Sequence, residues 1–172
     1  SKRRENLETT LPGEPVEMRE GIGCLEVAGS LEANFETRWN SLDELDGSTD
    51  MRLTWDDAPV SFSDTMVGAG LSEEGEPLLV FLGVLDPQEE SYVIPYIDFE
   101  PEQVREGEPF AIGERGSHGG VLYTDRYMEG ELSEAGYLFG GALEFESFGD
   151  ANGDLVKGSL STEVYAWPSS KE

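Results

Sequence analysis

The sequence has one cysteine, Cys24, and one histidine, His118. A single cysteine excludes an intramolecular disulfide and a zinc site built from several cysteines. Nucleophilic hydrolases usually need a histidine base, and His118 lies in a glycine-rich stretch at 116–120, in a chain without a Gly-x-Ser-x-Gly motif. We therefore expect no catalytic residues, no bound organic cofactor and a protein that is not an enzyme.

Lysine is nearly absent, with three residues, whereas Asp and Glu together number 37. The formal net charge is −26 at pH 7 and the sequence pI is about 4.1. Such a surface repels nucleic-acid phosphates and anionic lipid headgroups, because binding either needs a basic face. We expect no nucleic-acid partner and favour cations or basic protein surfaces. A saline habitat and an ordinary acidic extracellular protein both explain this composition.

Long apolar runs are also missing. The longest, residues 78–85, contains Gly83 and is far shorter than the roughly 20 residues that a membrane helix needs. We therefore expect no transmembrane segment. The run is apolar at both odd and even positions, which is typical of a strand that is buried on both faces.

The pattern that recurs along the chain has a period of two residues. Residues 31–39 carry mostly apolar side chains at odd positions and polar ones at even positions, as in a half-buried strand. Residues 142–148 and 155–167 flank an acidic turn with an Asn152-Gly153 step, which predicts a β-hairpin. Pro95 lacks a hydrogen-bond donor, so we predict an edge position for its strand, residues 91–99.

These patterns come without a sustained helical stripe, so we predict an all-β fold with less than about a tenth of its residues in α-helix. Short strands separated by turn residues favour an antiparallel β-sandwich, with a barrel as the alternative. Residues 15–172 are expected to form this single domain, and residues 1–14 a polar N-terminal arm.

The arm carries the only dense basic cluster in the sequence, Lys2, Arg3 and Arg4. Disorder is one interpretation of such an end. The other is that the arm docks on a protein partner, either a neighbouring copy or a larger complex. Residues 53–104 contain no Lys or Arg but many carboxylates, which makes this stretch the natural counterpart of the arm.

Asp150, Asn152 and Asp154 alternate around the hairpin turn and could offer oxygen ligands to calcium. An EF-hand is excluded, because Leu155 and Ser161 occupy the positions where that motif has Gly and Glu. A simple acidic turn explains the same residues. Residues 46–50 form a second, weaker calcium candidate.

The hairpin also carries a resemblance to a known group of proteins. Ala142-Leu-Glu-Phe-Glu-Ser-Phe, the acidic turn and Lys157-Gly-Ser-Leu-Ser-Thr-Glu-Val164 resemble the closing hairpin of many secreted or lipid-anchored bacterial β-sandwich domains. The resemblance implies an extracytoplasmic location, whether periplasmic, cell-surface or secreted. It also implies a binding or structural role.

Three functions remain open from the sequence. The first is a noncatalytic exported bacterial domain that acts as an accessory or structural subunit of a protein assembly. The second is a carbohydrate- or calcium-binding module, whose aromatic side chains would stack on sugars. The third is a hydrolase that uses two of the many carboxylates.

Overall fold

The computed structural model describes residues 25–39, 42, 44–149 and 151–167. This part of the chain has eleven β-strands, two short 3-10 turns and no α-helix, which confirms the predicted all-β class. The 3-10 turns span Pro101–Gln103 and Arg126–Met128. The strands are β1 (Glu26–Arg38), β2 (Ser48–Thr49), β3 (Arg52–Trp55), β4 (Ala58–Pro59), β5 (Asp64–Leu71), β6 (Pro77–Asp86), β7 (Ser91–Asp98), β8 (Phe110–Ile112), β9 (His118–Thr124), β10 (Ser133–Phe148) and β11 (Leu155–Ala166).

All described strands belong to one antiparallel sheet, which curls into a half-barrel. Its order is β4-β3-β1-β11-β10-β9-β7-β6-β5, with β2 paired to β1 and β8 paired to β10. The sequence predicted an antiparallel sandwich, with a barrel as the alternative; the described strands form one sheet that bends around its own core. The first and last strands, β1 and β11, are neighbours over almost their whole length.

Both edges of the sheet are short or covered. At one edge β4 has two residues, and the second is Pro59. At the other edge, Gly47 and Val67 exchange backbone hydrogen bonds of 2.8 and 3.3 Å, and the Thr65 hydroxyl donates to the Thr49 carbonyl. Few free backbone groups are left at either edge to pair with another strand.

The core lies on the concave face of the sheet. In β1 the alternation predicted from the sequence is confirmed, because Leu31, Ala33 and Phe35 are buried while Glu32 and Asn34 are exposed. The core near the β1 end at Arg38 is filled by aromatic rings in edge-to-face or tilted contact, 5.0–5.8 Å between centroids. These rings are Phe35, Trp39, Phe81, Phe99, Phe145 and Phe148.

The predicted edge position of the strand that contains Pro95 is wrong. β7 is a central strand, with β6 on one side and β9 on the other. Along the β6–β7 ladder, pairing stops at Val80 and Tyr96 and resumes in the same register at Gly83 and Val93. The missing N–H of the proline is therefore accommodated by a local gap in this ladder.

The predicted hairpin between residues 142 and 167 is confirmed as β10 and β11. Gly153 supplies the positive φ of its turn, at 91°. β10 begins nine residues earlier than the sequence pattern indicated, at Ser133. Gly140 and Gly141, both with positive φ, lie where the β10–β11 register shifts. They interrupt the alternating pattern, so the sequence did not predict the first half of this strand.

Candidate functional site

The convex face of the sheet divides into a polar half and an apolar half. On β10, β11 and β1 the outward side chains are mostly polar, such as Glu146, Lys157 and Glu36. On β5, β6, β7 and β9 they are mostly apolar and half-buried. We call this second set the outer apolar face, and it consists of Met66, Leu78, Val80, Leu82, Tyr92, Ile94, Tyr96 and Leu122.

Register places these side chains in continuous rows across the strands. Met66 lies opposite Leu82 in the β5–β6 ladder, and Ile94 lies opposite Leu122 in the β7–β9 ladder. The odd positions of β6, including the fully buried Phe81, face the core instead. β6 is therefore apolar on both faces, although the sequence predicted a strand that is buried on both. The described chain buries the inner face fully and leaves the outer face half-buried.

Tyr96 lies near the middle of the outer apolar face. Its phenol ring covers Gly120, where a Cβ would come within 2.7–2.9 Å of the ring and hydroxyl. Burial, with smaller contributions from the nearby Glu134 and Asp98 carboxylates, raises the pKa of Tyr96 to about 12. This neutral hydroxyl therefore lies in a partly dehydrated environment on the convex surface.

Carboxylates surround the outer apolar face. Asp64 and Asp98 lie on β5 and β7, and Glu134 lies opposite Leu122 on β10. β5, β6 and β7 contain no Lys or Arg. His118 lies beside the face, with its Nδ1 3.5 Å from the Asp98 carboxylate and its ring 6.2 Å from that of Tyr96. The face is thus an apolar surface with an acidic border.

The predicted calcium ligands are only partly described. Asp150 lies outside the described residues, while Asn152 and Asp154 are exposed in the hairpin turn. The Asp154 carboxylate accepts a hydrogen bond of 3.0 Å from the backbone N–H of Ala151. Within the described ranges, no three His, Cys, Asp or Glu side chains form a group that could hold a metal ion.

The other predicted site residues are dispersed or outside the described chain. Lys2, Arg3 and Arg4 lie outside the described residues. In the weaker calcium candidate, Asp50 accepts hydrogen bonds from Asn34.

The aromatic side chains proposed to stack on sugars do not share one exposed surface. Trp39 is 7% exposed and belongs to the core. Trp55 and Tyr123 pack against that core from the concave side. Tyr92 and Tyr96 lie on the convex side, and Trp167 packs against a separate small cluster there with Leu25 and Tyr137.

Several carboxylates line a groove on the polar half of the convex face. The groove, of about 730 Å³, crosses β1, β10 and β11 there, and Glu36, Glu144 and Glu146 line it. Lys157, also in the groove, lies 3.8 Å from the Glu146 carboxylate. A second pocket, of about 480 Å³, is lined by Glu76, Asp98, Glu100 and Glu102, so more than one cavity gathers carboxylates.

Comparison with protein families, curated proteins and solved structures finds no match to this chain. Among the described residues, no helix is long and apolar enough to cross a membrane. Sequence reasoning did not identify the outer apolar face as a site. The available signal was the doubly apolar run 78–85, which indicates that both faces are covered but not what covers the outer one.

Proposed function

We propose that this protein is a noncatalytic accessory subunit that assembles with a neighbouring copy through its outer apolar face. The observation that carries this proposal is that β6 is apolar on both faces, while the described chain fully buries only its inner face. Apolar area gains about 25 cal/mol per Å² when it leaves water. A contiguous apolar surface on four adjacent strands is the kind of patch that marks a protein interface.

A face contact suits this sheet better than an edge contact. Strand addition requires a row of free backbone N–H and C=O groups. β4 is two residues long with Pro59 at its end, and Val67 on β5 is already paired with Gly47. Backbone pairing between copies is thus disfavoured at both edges, and side-chain packing on the convex face is the remaining route.

The charge distribution supports a second copy of this chain as the partner. Two of the carboxylates that border the face, Asp64 and Asp98, lie within residues 53–104, which contain no Lys or Arg. Lys2, Arg3 and Arg4 concentrate positive charge in the same chain. An extended segment of 14 residues reaches roughly 45 Å, enough to cross to an adjacent subunit. Each exposed ion pair contributes only about 0–1 kcal/mol, so the arm would set register while apolar packing supplies affinity.

The resemblance of the closing hairpin, residues 142–164, to exported bacterial β-sandwich domains supports placing this subunit outside the cytoplasm. A carbohydrate-binding or hydrolytic function has less support. The aromatic side chains are divided between core and surface, and in the groove across β1, β10 and β11 Lys157 lies among the carboxylates.

The test compares two single charge insertions on the convex face by light scattering across a range of protein concentrations. Val80→Glu places a charge in the outer apolar face, and Ser161→Glu places one at an exposed position of β11 on the polar half. We expect the native chain and Ser161→Glu to associate and Val80→Glu to remain monomeric. Association should strengthen in molar salt, which screens the repulsion between copies of charge −26.

A native chain that stays monomeric at high concentration and in molar salt would overturn the proposal. So would a Val80→Glu variant that associates like the native chain. Circular dichroism checks that each variant is folded. If Val80→Glu does not fold, Val80→Thr keeps the β-branched shape while adding a hydroxyl, and it should weaken association measurably.

A further inference from the structure

The concave side of the half-barrel is not filled evenly. Aromatic rings fill the end near Trp39 and Phe148, as described above. At the opposite end, where β6 finishes and β7 begins, the core side chains are smaller and leave a pocket of about 450 Å³. Leu85, Val93 and Ala135 line this pocket on the sheet side. The β3–β4 hairpin covers it with Trp55 and Val60.

The lining chemistry restricts what the pocket can hold. None of the side chains that line it carries a charge, and the one hydroxyl among them belongs to Tyr123. Protein interiors contain few voids larger than a water molecule, and apolar cavities of even 150 Å³ bind small apolar molecules. Ligand pockets span about 300–1,000 Å³ and are mostly apolar. A pocket of this size and lining suits the apolar body of a small molecule.

Carboxylates lie at two places beside this pocket. Asp56 and Asp57 form the exposed turn between Trp55 and Ala58, both of which line the pocket. On the other side, the Tyr123 hydroxyl donates a hydrogen bond of 3.1 Å to the Asp125 carboxylate. The field at the mouth is therefore negative.

The two nearest cations in sequence do not offset this field. Arg52, next to the lining residue Leu53, pairs with the Glu32 carboxylate at 3.2 Å. Arg126, next to Asp125, is engaged by the Glu89 carboxylate at 3.2 Å and by the Gln88 carbonyl at 2.9 Å. The whole chain adds a charge of −26, which repels anions and concentrates cations near the surface. An anionic amphiphile such as a fatty acid is therefore disfavoured.

We propose that this pocket binds a small cationic amphiphile. Its apolar body lies between the β3–β4 hairpin and the ends of β6, β7 and β9, and its ammonium group lies at the mouth beside Asp56 and Asp57. The face of the Trp55 indole adds attraction for the cation where the ring reaches the mouth. The site lies on the concave side and is separate from the outer apolar face.

The test uses three probes with the same eight-carbon chain: octyltrimethylammonium, octanol and octanoate, each kept below its micelle concentration in calorimetric titrations of the full chain. We expect octyltrimethylammonium to bind at least about fivefold more tightly than octanol, and octanoate to give no measurable binding. Asp56→Asn with Asp57→Asn removes both negative charges and should reduce the preference for the cation to less than twofold. The turn should keep its shape, because asparagine tolerates the positive φ of both positions. The matched control, Glu73→Gln with Glu74→Gln, neutralises two exposed carboxylates in the turn at the other end of β6 and should leave the preference unchanged.

A second variant tests the location of the site. Ala135→Phe places a ring in the pocket and should abolish binding of octyltrimethylammonium and octanol, and Val93→Leu is the smaller replacement if Ala135→Phe does not fold. The proposal is overturned if none of the probes binds, if the three bind equally, or if filling the pocket leaves binding unchanged. Val80→Glu on the outer apolar face should bind octyltrimethylammonium like the native chain, which separates this site from the assembly surface.

Discussion

The carboxylate of Asp50 accepts two hydrogen bonds from Asn34, one of 2.6 Å from the backbone N–H and one of 3.0 Å from the side-chain Nδ2. Asn34 lies at an exposed position of β1, and Asp50 follows β2. The Thr49 hydroxyl adds a hydrogen bond of 2.7 Å to the Asn34 carbonyl. These contacts fasten to β1 the segment that covers the edge of β5.

Removal of this carboxylate should weaken the fold. We expect Asp50→Ala to lower the free energy of unfolding by about 0.5–1.5 kcal/mol at pH 7, because two hydrogen bonds to an exposed carboxylate are lost. Asp46→Ala, at an exposed position of the same segment, should change it by less than about 0.5 kcal/mol. Urea denaturation of the three proteins measures the difference. Equal effects of the two variants would contradict the role of Asp50.

The same contact predicts a pH dependence. The backbone N–H of Asn34 is the main reason that the pKa of Asp50 lies below its ordinary value of 3.8. The ionised carboxylate therefore stabilises the fold above pH 4, and this contribution disappears as pH falls through the lowered pKa. The stability gap between the native chain and Asp50→Ala should be constant from pH 5 to 8 and shrink below pH 4. A gap that persists at pH 2.5 would be inconsistent with this.

Two adjacent glycines in β10 offer a matched pair of substitutions. Both have positive φ, 82° at Gly140 and 70° at Gly141. A Cβ at Gly140 meets open space, whereas one at Gly141 would collide with the backbone of Ser161. Gly140→Ala should cost about 1–2 kcal/mol from backbone strain alone. Gly141→Ala should cost about 1–3 kcal/mol more, because β10 and β11 must separate. Thermal unfolding of both variants measures the difference, and equal losses would argue against a close approach of the strands.

Tyr96 should make the protein sensitive to alkali. Its pKa is about 12 in the folded state and ordinarily 10.0, so the unfolded chain releases this proton first as pH rises. The stabilisation is complete below pH 10 and is lost as pH rises through 12. Tyr96→Phe should remove this part of the alkaline loss. Ultraviolet absorbance at tyrosinate wavelengths should show one fewer late-titrating phenol in the variant, and an unchanged titration would place the late phenol elsewhere.

Substitutions in the β10–β11 turn can distinguish a structural role of Asp154 from a role in calcium binding. We expect Asp154→Ala to lower the free energy of unfolding by about 1 kcal/mol in the presence of a chelator, since Ala151 loses its hydrogen-bond acceptor. Asn152→Ala is the control and should have little effect. Thermal unfolding with millimolar calcium or magnesium then tests the sequence-based prediction. A stabilisation specific to calcium that Asp150→Ala and Asp154→Ala both abolish would show that the turn binds the ion.

Deletion of residues 1–14 tests the arm independently of the apolar face. We expect the shortened chain to associate several-fold more weakly in low salt and to keep its melting temperature, because the role proposed for the arm is to add charge to the contact between copies. A variant with Lys2, Arg3 and Arg4 all changed to Gln should behave like the deletion. Unchanged association in both would leave the apolar face as the whole of the contact.

The sequence predicted those strands in which apolar and polar side chains alternate with a period of two residues. β1 has alternating side chains over its whole buried length, and β11 closes the hairpin with β10. The first half of β10 has no such signal, because Gly136, Gly140 and Gly141 interrupt its side chains. The position of Pro95 was predicted wrongly. The rule that places proline in edge strands does not apply here, because the β6–β7 ladder has a local gap where the proline N–H is missing.

The outer apolar face and the concave pocket required the structure. Residues 78–85 indicate two covered faces, but only the register with β5 and β7 shows which side chains form one continuous surface. The pocket gathers residues from six separate strands and from Val60 just after β4, and no local pattern connects Trp55 with Val93 or Ala135. Such sites depend on contacts between distant parts of the chain, and no short segment of the sequence shows those contacts.

The pairing of the first strand with the last has a consequence during synthesis. β1 ends at Arg38, and its partner β11 begins only at Leu155. A ribosome that adds about 5–20 residues per second needs on the order of ten seconds to make the chain between them. For that time β1 holds only β2 and β3 beside it, with its apolar row unprotected. Glu32 and Glu36 lie on its other face, so the nascent strand carries negative charge until its partner is made, and such charge disfavours pairing with other chains.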